Sequence, residues 1–211
     1  RPPQVAEYSI RKTYGRLLDM FENAFARKNP LFTLPMYYPL AWYKGPDKSI
    51  DPFEQNRQRQ VVGLIRTNFL KCFESSVAAF ELSCDRLLKK LLAFLEVHSE
   101  TDAEKKRLDR WKGQNAEVLG YAAERQHEFW EEQPDEFDEF DEEDIVSQEM
   151  LDAVERLDPK NYDLGEMMSE TFLDLDQIVN FLDEARKFEP KHDDKLQKLI
   201  RLLKTKELTG Q

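Results

Sequence analysis

The chain has 211 residues, 40% of them hydrophobic and 35% charged, so it can bury one fair-sized core or two small ones. It contains only seven glycines, and long runs lack both glycine and proline, which favours helices over sheets. No apolar run approaches the ~20 residues that span a bilayer, and no signal peptide is present, so we expect a cytoplasmic location and no membrane partner.

The net charge of −11 comes from one segment. Residues 128–144, the acidic run, contain eleven acidic side chains and no lysine or arginine. Outside the acidic run, 31 acids balance 31 bases, so the acidity of the whole chain does not exclude a nucleic-acid partner. The acidic run lacks the Asp-x-Asp-x-Asp-Gly spacing of a calcium loop, and we expect no metal site in it.

The N-terminal part, residues 1–52, combines a helix with an irregular stretch. Apolar side chains recur at helical spacing over residues 8–28, which predicts the first helix. Residues 29–52, the aromatic segment, contain five prolines and five aromatic side chains. The prolines exclude a helix, and we expect the aromatic side chains to pack across a neighbour rather than lie in water.

The strongest pattern lies in residues 53–98, where apolar side chains recur every three or four positions. It predicts one helix of about 45 residues, roughly 65–70 Å long, which needs a partner along its length. The predicted partner is 102–132, which would return antiparallel and complete a long hairpin over 53–132. Cys72 and Cys84 would then lie about 18 Å apart on one helix, and we expect free thiols.

The rest of the chain is also predicted to be helical. An ordered acidic connector over 133–144 leads into residues 145–211. The helices predicted there cover 144–157, 164–188 and 193–206. The predicted fold is therefore all-α, with a long antiparallel hairpin, additional helices and an irregular aromatic segment.

The motifs of common catalytic sites are absent from the sequence. It has no Gly-x-x-x-x-Gly-Lys-Ser/Thr phosphate loop, and its three histidines are scattered without metal-ligand spacing. We therefore expect no catalytic, cofactor-binding or metal-binding residue in this segment.

Two segments resemble parts of a known family. Asn56 to Phe80, with its Glu74-Ser75-Ser76 block, resembles the Leu-x-Lys-Arg-x-Glu-Ser-Ser-x-x-Ala-Phe helix of bacterial Swi/Snf-type helicases of superfamily two. In that family this helix follows the first RecA-like motor lobe. The segment from His192 to Leu203 resembles the helix that introduces the second lobe. Cys72 stands where the family carries a basic residue.

The resemblance implies a non-catalytic helical region that braces the two motor lobes of a DNA-dependent ATPase. The flanking lobes of the same polypeptide would be its partners, and ATP and Mg²⁺ would be cofactors of the parent helicase or translocase. The chain begins at Arg1 without a methionine and stops at Gln211, so we expect a segment of a longer protein.

Four bases near the start of the long predicted helix are the candidate contacts to double-stranded DNA or to the lobes: Arg57, Arg59, Arg66 and Lys71. Arg59 and Arg66 are seven residues apart and share a helix face, as tracking a phosphate backbone requires. The alternative is that these bases are solvated surface charges or form pairs within the helix, such as Lys71 with Glu74.

A second hypothesis is a self-contained helical protein-interaction module in which the acidic run docks to a basic partner. The two hypotheses differ in the aromatic segment. A region between motor lobes would expose those aromatic side chains, and the isolated segment could dimerise through them. A self-contained module would cover them with its own helices.

Overall fold

The computed structural model describes residues 9–25, 32–46, 50–130, 146–188, 191 and 194–208. The described ranges hold eight α-helices and no β-strand, which confirms the predicted all-α class. The helices are α1 (Ile10–Ala24), α2 (Pro52–Ser75), α3 (Val77–His98), α4 (Asp102–Gln114), α5 (Ala116–Trp130), α6 (Gln148–Asp152), α7 (Leu164–Ala185) and α8 (Asp194–Leu208). The predicted connector over 133–144 lies outside the described residues.

The single helix predicted over 53–98 is wrong, because the chain breaks at Ser76. This residue is extended, with φ −164° and ψ 158°, and its side chain accepts the N–H of Ala79 at 3.1 Å as the N-cap of α3. A serine at this position can satisfy a free N–H of a new helix, which competes with continuing the old one. The break lets α3 fold back against α2.

Beside this corner α2 and α3 pack against each other, and α3 also contacts α4 and α5 of the predicted return segment. Phe69 and Phe73 of α2 both contact the ring of Phe80 in α3, with ring centroids 6.0 and 5.7 Å apart. Cys72 receives a hydrogen bond from the Ser83 hydroxyl at 3.3 Å, so the two arms are close beyond the corner as well. Both cysteines are free, as predicted.

The predicted return helix 102–132 is also divided. α4 begins with a capping box between Thr101 and Glu104 and ends at Gln114. At Asn115 the side-chain amide donates to the carbonyl of Trp111 at 2.9 Å, and this bond competes with the regular helical pattern. The shortest helix, α6, replaces the helix predicted over 144–157 and covers five residues.

The core lies where α3 and α7 cross the middle of the molecule. Six phenylalanine rings form its centre, with neighbouring ring centroids 4.8–6.2 Å apart. They are Phe21, Phe32, Phe69, Phe73, Phe80 and Phe181. One continuous set of buried side chains includes contributions from α1, the aromatic segment and the helices α2 to α5 and α7.

The aromatic segment is covered by this same chain. Phe32 and Leu34 are almost completely buried, and the described aromatic side chains that follow are half-buried. Further along, the backbone of Lys44 donates to Asn161 at 2.8 Å, and Asp163 donates to Trp42 at 2.9 Å. The expectation of an exposed aromatic surface available for dimerisation is therefore wrong for the described residues, because α2, α7 and the 158–163 loop cover it.

Within the described ranges, we find no helix that has both the length and the apolar character needed to cross a membrane.

Candidate functional site

The four predicted contact residues divide between two opposite sides of α2. Arg59 and Arg66 share a face, as their spacing predicted, and this face turns towards the aromatic segment. Arg57 and Lys71 lie on the side that faces water. The sequence thus identified the shared face correctly but did not show that the aromatic segment contacts it, with Arg66 half-buried and Arg59 still exposed.

Arg59 and Arg66 both bind the aromatic segment. The Arg59 guanidinium lies 5.9 Å from the centre of the Tyr38 ring and donates to its hydroxyl at 3.3 Å. Arg66 is half-buried and donates to the backbone carbonyl of Phe32. Its Nε has no hydrogen-bond partner, and burial lowers the pKa of this guanidinium, against the opposing effect of the nearby Asp174 carboxylate. Arg66 therefore joins α2 to the aromatic segment.

Asp174 of α7 holds the aromatic segment from the other side. Its two carboxylate oxygens accept the backbone N–H of Thr33 at 2.9 Å and of Leu34 at 2.7 Å, and the Thr33 hydroxyl donates at 3.4 Å. We call this arrangement the carboxylate clamp. Two successive backbone N–H groups thus bind one anion, and Leu34 itself adopts the left-handed conformation, with φ 52° and ψ 60°.

The carboxylate clamp is electrostatically unusual because the Asp174 side chain is inaccessible to water. Burial raises the pKa of Asp174 from 3.8 to about 7, and the hydrogen bonds from Thr33 and Leu34 oppose that rise. Glu170, one turn earlier on α7, raises the pKa further by repulsion. A carboxyl group with this pKa changes its charge near neutral pH, so we expect the attachment of the aromatic segment to depend on pH.

Sequence reasoning missed Asp174, although the pattern of α7 contains a signal. Asp174 is three residues after Thr171 and four before Ile178, and both of these are buried, so it stands in the apolar stripe of an amphipathic helix. An acid in that stripe must find hydrogen-bond partners when the helix packs.

The outward side of α2 carries a different set of groups. Phe53 and Leu64 are 78% and 68% exposed, and they are eleven residues apart, which places them in line along the helix. Arg57 pairs with Glu54 at 2.7 Å, and the hydrogen bond between them lowers the pKa of Glu54 and raises that of Arg57. Lys71 is exposed on the same side.

Three further buried polar side chains lie on α3, and they are Glu81, Asp85 and His98. His98 accepts the backbone N–H of Leu157 at Nε2, 3.1 Å away, while its Nδ1 lies 2.9 Å from the carbonyl of Phe94. These partners require the neutral ring with the proton on Nδ1. Near the other end of α3, Glu81 accepts a hydrogen bond from the Tyr121 hydroxyl at 2.6 Å.

Each of these polar groups has its own hydrogen-bond partner, and the groups do not converge on one site. Among the described residues no three histidine, cysteine, aspartate or glutamate side chains are placed to hold a metal ion. The chemistry that these residues support is binding and positioning: two basic side chains that hold a segment in place and two that face solvent.

The chain matches no protein-family model, no curated protein and no solved structure. The resemblance to Swi/Snf-type helicases therefore stays a prediction from the two motifs. The Glu74-Ser75-Ser76 block lies at the corner between α2 and α3, where Ser76 caps the second helix.

The last described helix, which the sequence analysis singled out for its resemblance to the helix before the second lobe, presents an apolar surface. In α8 the side chains of Leu199, Leu202 and Leu203 are 51%, 43% and 54% exposed. Their spacing of three and four residues places them together on one side of the helix. The apolar periodicity of α8 was evident in the sequence, but not that its neighbours cover only part of it.

Proposed function

We propose that the chain is a self-contained helical protein-interaction module whose acidic run docks to a basic partner. The observation that supports this proposal is the covered aromatic segment. Phe32 packs against Phe69 and Phe181, and the carboxylate clamp and Arg66 hold the adjoining backbone. A segment that needed a motor lobe to cover these aromatic side chains would leave them in water.

The acidic run joins the body at two packed points. Before it, Val118, Leu119 and Ala122 of α5 are buried, and after it Val146 is buried as well. In the sequence, the acidic run with its eleven acidic side chains therefore lies between two segments that belong to the folded body. A cluster of like charges attracts a basic partner over several ångströms in a salt-dependent manner.

The proposal can be tested by titrating the chain with a fluorescent peptide of about ten lysine and arginine residues. Neutralising three acids of the run, Asp141→Asn with Glu142→Gln and Glu143→Gln, should weaken binding about fivefold to tenfold at low salt. The matched control neutralises three exposed acids elsewhere: Glu124→Gln, Glu149→Gln and Glu155→Gln. Equal weakening by both triple variants would show that only net charge matters and would refute docking at the acidic run.

The second candidate function is the inter-lobe region of a DNA-dependent ATPase, and Arg57 and Lys71 favour it. Both bases face water on one side of α2, fourteen residues or about 21 Å apart. Their reversal to glutamate should abolish binding of the chain to a labelled DNA duplex, measured by anisotropy. Reversal of the exposed base Lys160, far from α2 in sequence, provides the control. No binding of duplex DNA by the unmodified chain would leave the interaction module as the better account.

A further inference from the structure

The corner between α2 and α3 interrupts what is otherwise one helical pattern. Ser76 is the one residue between the two helices. On either side of the corner the regular helical bonds persist, from the N–H of Ser76 to the carbonyl of Cys72 and from the N–H of Phe80 to the carbonyl of Ser76, both at 3.1 Å. A single extended residue thus separates 24 helical residues from 22.

Two side chains replace helical hydrogen bonds at this corner. In a continuous helix the carbonyls of Glu74 and Ser75 would accept from the N–H groups four residues further on. Here both carbonyls accept from the Lys195 ammonium group of α8, at 3.3 and 3.1 Å. The N–H of Ala79 is bonded to the Ser76 hydroxyl at 3.1 Å. The corner therefore depends on one serine and on one lysine that lies 120 positions after Ser75.

The apolar pattern fits a straight helix as well as the corner. Phe73 and Phe80 are seven residues apart across Ser76, so they would share one face of a helix that continued through it. In the folded chain α2 and α3 lie side by side, and Ile65 and Leu87 line one small cavity. A straight helix would separate these two residues by about 33 Å, so a second chain would have to supply the contacts.

We propose that the corner is a hinge through which two copies of the chain exchange α1, the aromatic segment and α2. In the exchanged dimer α2 and α3 form one helix, and α2 of each copy packs on α3 of the other. The core contacts re-form between copies, so the two states differ at the corner and in the cost of association. The straight helix regains its backbone bonds, while Ser76 loses its capping bond and Lys195 loses two carbonyls.

The first experiment is sedimentation of the whole chain after refolding from urea at several concentrations, because exchange requires the chains to open. We expect a dimer whose share rises with concentration. Ser76→Ala should raise the association constant about tenfold or more, since each of the two chains loses the cap that favours the corner. The matched control is Ser147→Ala, which removes the N-cap of α6 and should leave the constant unchanged.

Two outcomes of this experiment would overturn the proposal. In one, the unmodified chain and the Ser76→Ala variant both stay monomeric at every concentration. In the other, Ser76→Ala and Ser147→Ala raise the association constant equally, which would assign the effect to a general loss of stability.

A proline at position 77 tests the hinge in the opposite direction. Val77 is the first residue of α3, where proline is tolerated, and Ser76 already has an extended conformation suited to a following proline. In a continuous helix the proline would remove the N–H that bonds the Phe73 carbonyl and would clash with that carbonyl. Val77→Pro should therefore keep the helical circular dichroism of the monomer and lower the association constant at least tenfold. An unchanged constant would contradict a straightened hinge.

The contribution of α8 to the hinge is tested at Lys195. Lys195→Met removes the donor to the two carbonyls and should raise the association constant by a smaller factor than Ser76→Ala, because an exposed donor exchanges its bonds for bonds to water. The control is Lys204→Met, which removes an exposed lysine of the same helix. Equal effects of the two variants would assign the change to net charge and overturn the role of Lys195.

A distance across the corner distinguishes exchange from an ordinary surface dimer. Spin labels are attached through Leu64→Cys and Arg86→Cys, two exposed positions, after replacement of the native cysteines by Cys72→Ser and Cys84→Ala. The labelled chain is refolded with an excess of unlabelled chain, so that few dimers contain two labelled copies. Pulsed electron spin resonance should give about 33 Å in the dimer and a shorter distance in the monomer. A dimer that keeps the short distance would overturn the proposal.

Discussion

Helices α7 and α8 have the same type of sequence and opposite surroundings. Both are amphipathic, with apolar residues at spacings of three and four. α7 crosses the centre of the molecule, where α1, α3, α5 and the aromatic segment surround it, and even Asp174 on it is fully buried. α8 packs along one side on α1 and leaves three leucines partly in water.

The difference shows that the apolar stripe of a helix can become either core or exposed surface. The number of elements that pack against the stripe decides which. Where several elements surround the stripe, it forms the core, and a polar group within it needs an internal partner such as the Thr33 and Leu34 amides. Where only one element covers it, the remaining apolar surface is available to another molecule. Substitutions on the two helices should therefore affect different quantities.

The largest effect on stability is expected in the centre of α7. Phe181 is fully buried and its ring contacts Phe21, Phe32 and Phe80. Phe181→Ala should lower the free energy of unfolding by about 3–5 kcal/mol, because it removes a large apolar side chain and leaves a cavity. Urea denaturation measures this, with Leu202→Ala on α8 as the comparison. A similar loss in both variants would contradict the contrast between the two helices.

A smaller effect is expected at the carboxylate clamp. Asp174→Asn replaces one of the two oxygens that accept from Thr33 and Leu34 by an amide NH₂, which cannot accept, and should cost about 1–3 kcal/mol. It should also change the pH dependence. The pKa of Asp174 is 3.8 unfolded and about 7 folded, so between these values the folded chain retains a proton that the unfolded chain has released.

This difference in proton binding makes the contribution of Asp174 to stability decrease as pH rises from about 4 to about 7. In the Asp174→Asn variant that decrease should be absent. Urea denaturation of both proteins at intervals across this range provides the measurement. Parallel stability curves would show that the carboxyl group does not titrate in this range.

The smallest effect concerns His98, at the edge of the core, where the ring accepts the backbone N–H of Leu157. Burial lowers the pKa of His98 below 6.5, and the Phe94 carbonyl opposes this effect. Below pH 6.5 the unfolded chain therefore binds more protons, and stability falls as the pH falls. Protonation also removes the acceptor for Leu157.

Proton NMR can follow the His98 ring directly, since the sequence has only three histidines. His127→Gln and His192→Gln assign the other two signals. A His98 pKa at or above 6.5 would show that the ring is more accessible than the structure has it. Hydrogen exchange at the Leu157 amide should accelerate as His98 becomes protonated.

Helix content was predictable from the sequence, whereas the pairing of helices was not. The apolar periodicity over residues 53–98 is compatible with one helix and with two, because Ser76 interrupts the chain without disturbing the spacing of Phe69, Phe73 and Phe80. What favours the corner is the contact between these rings once α3 has folded back, together with the cap that Ser76 provides. The ring contacts depend on tertiary structure, and the Ser76 cap depends on a competition between capping a new helix and continuing the old one. Apolar periodicity reports neither of these.

The sequence by itself determined the all-α class, the shared face of Arg59 and Arg66, and the lack of an α-helix over residues 32–46, where the structure has two short 3₁₀ helices, because backbone propensity and helical spacing are local properties. Tertiary structure alone decided which faces are covered. It placed Arg66 against Phe32, buried Asp174 beneath Thr33 and Leu34, and left the leucines of α8 exposed. Coverage depends on residues that are distant in the chain, and Asp174 and Leu34 are 140 positions apart.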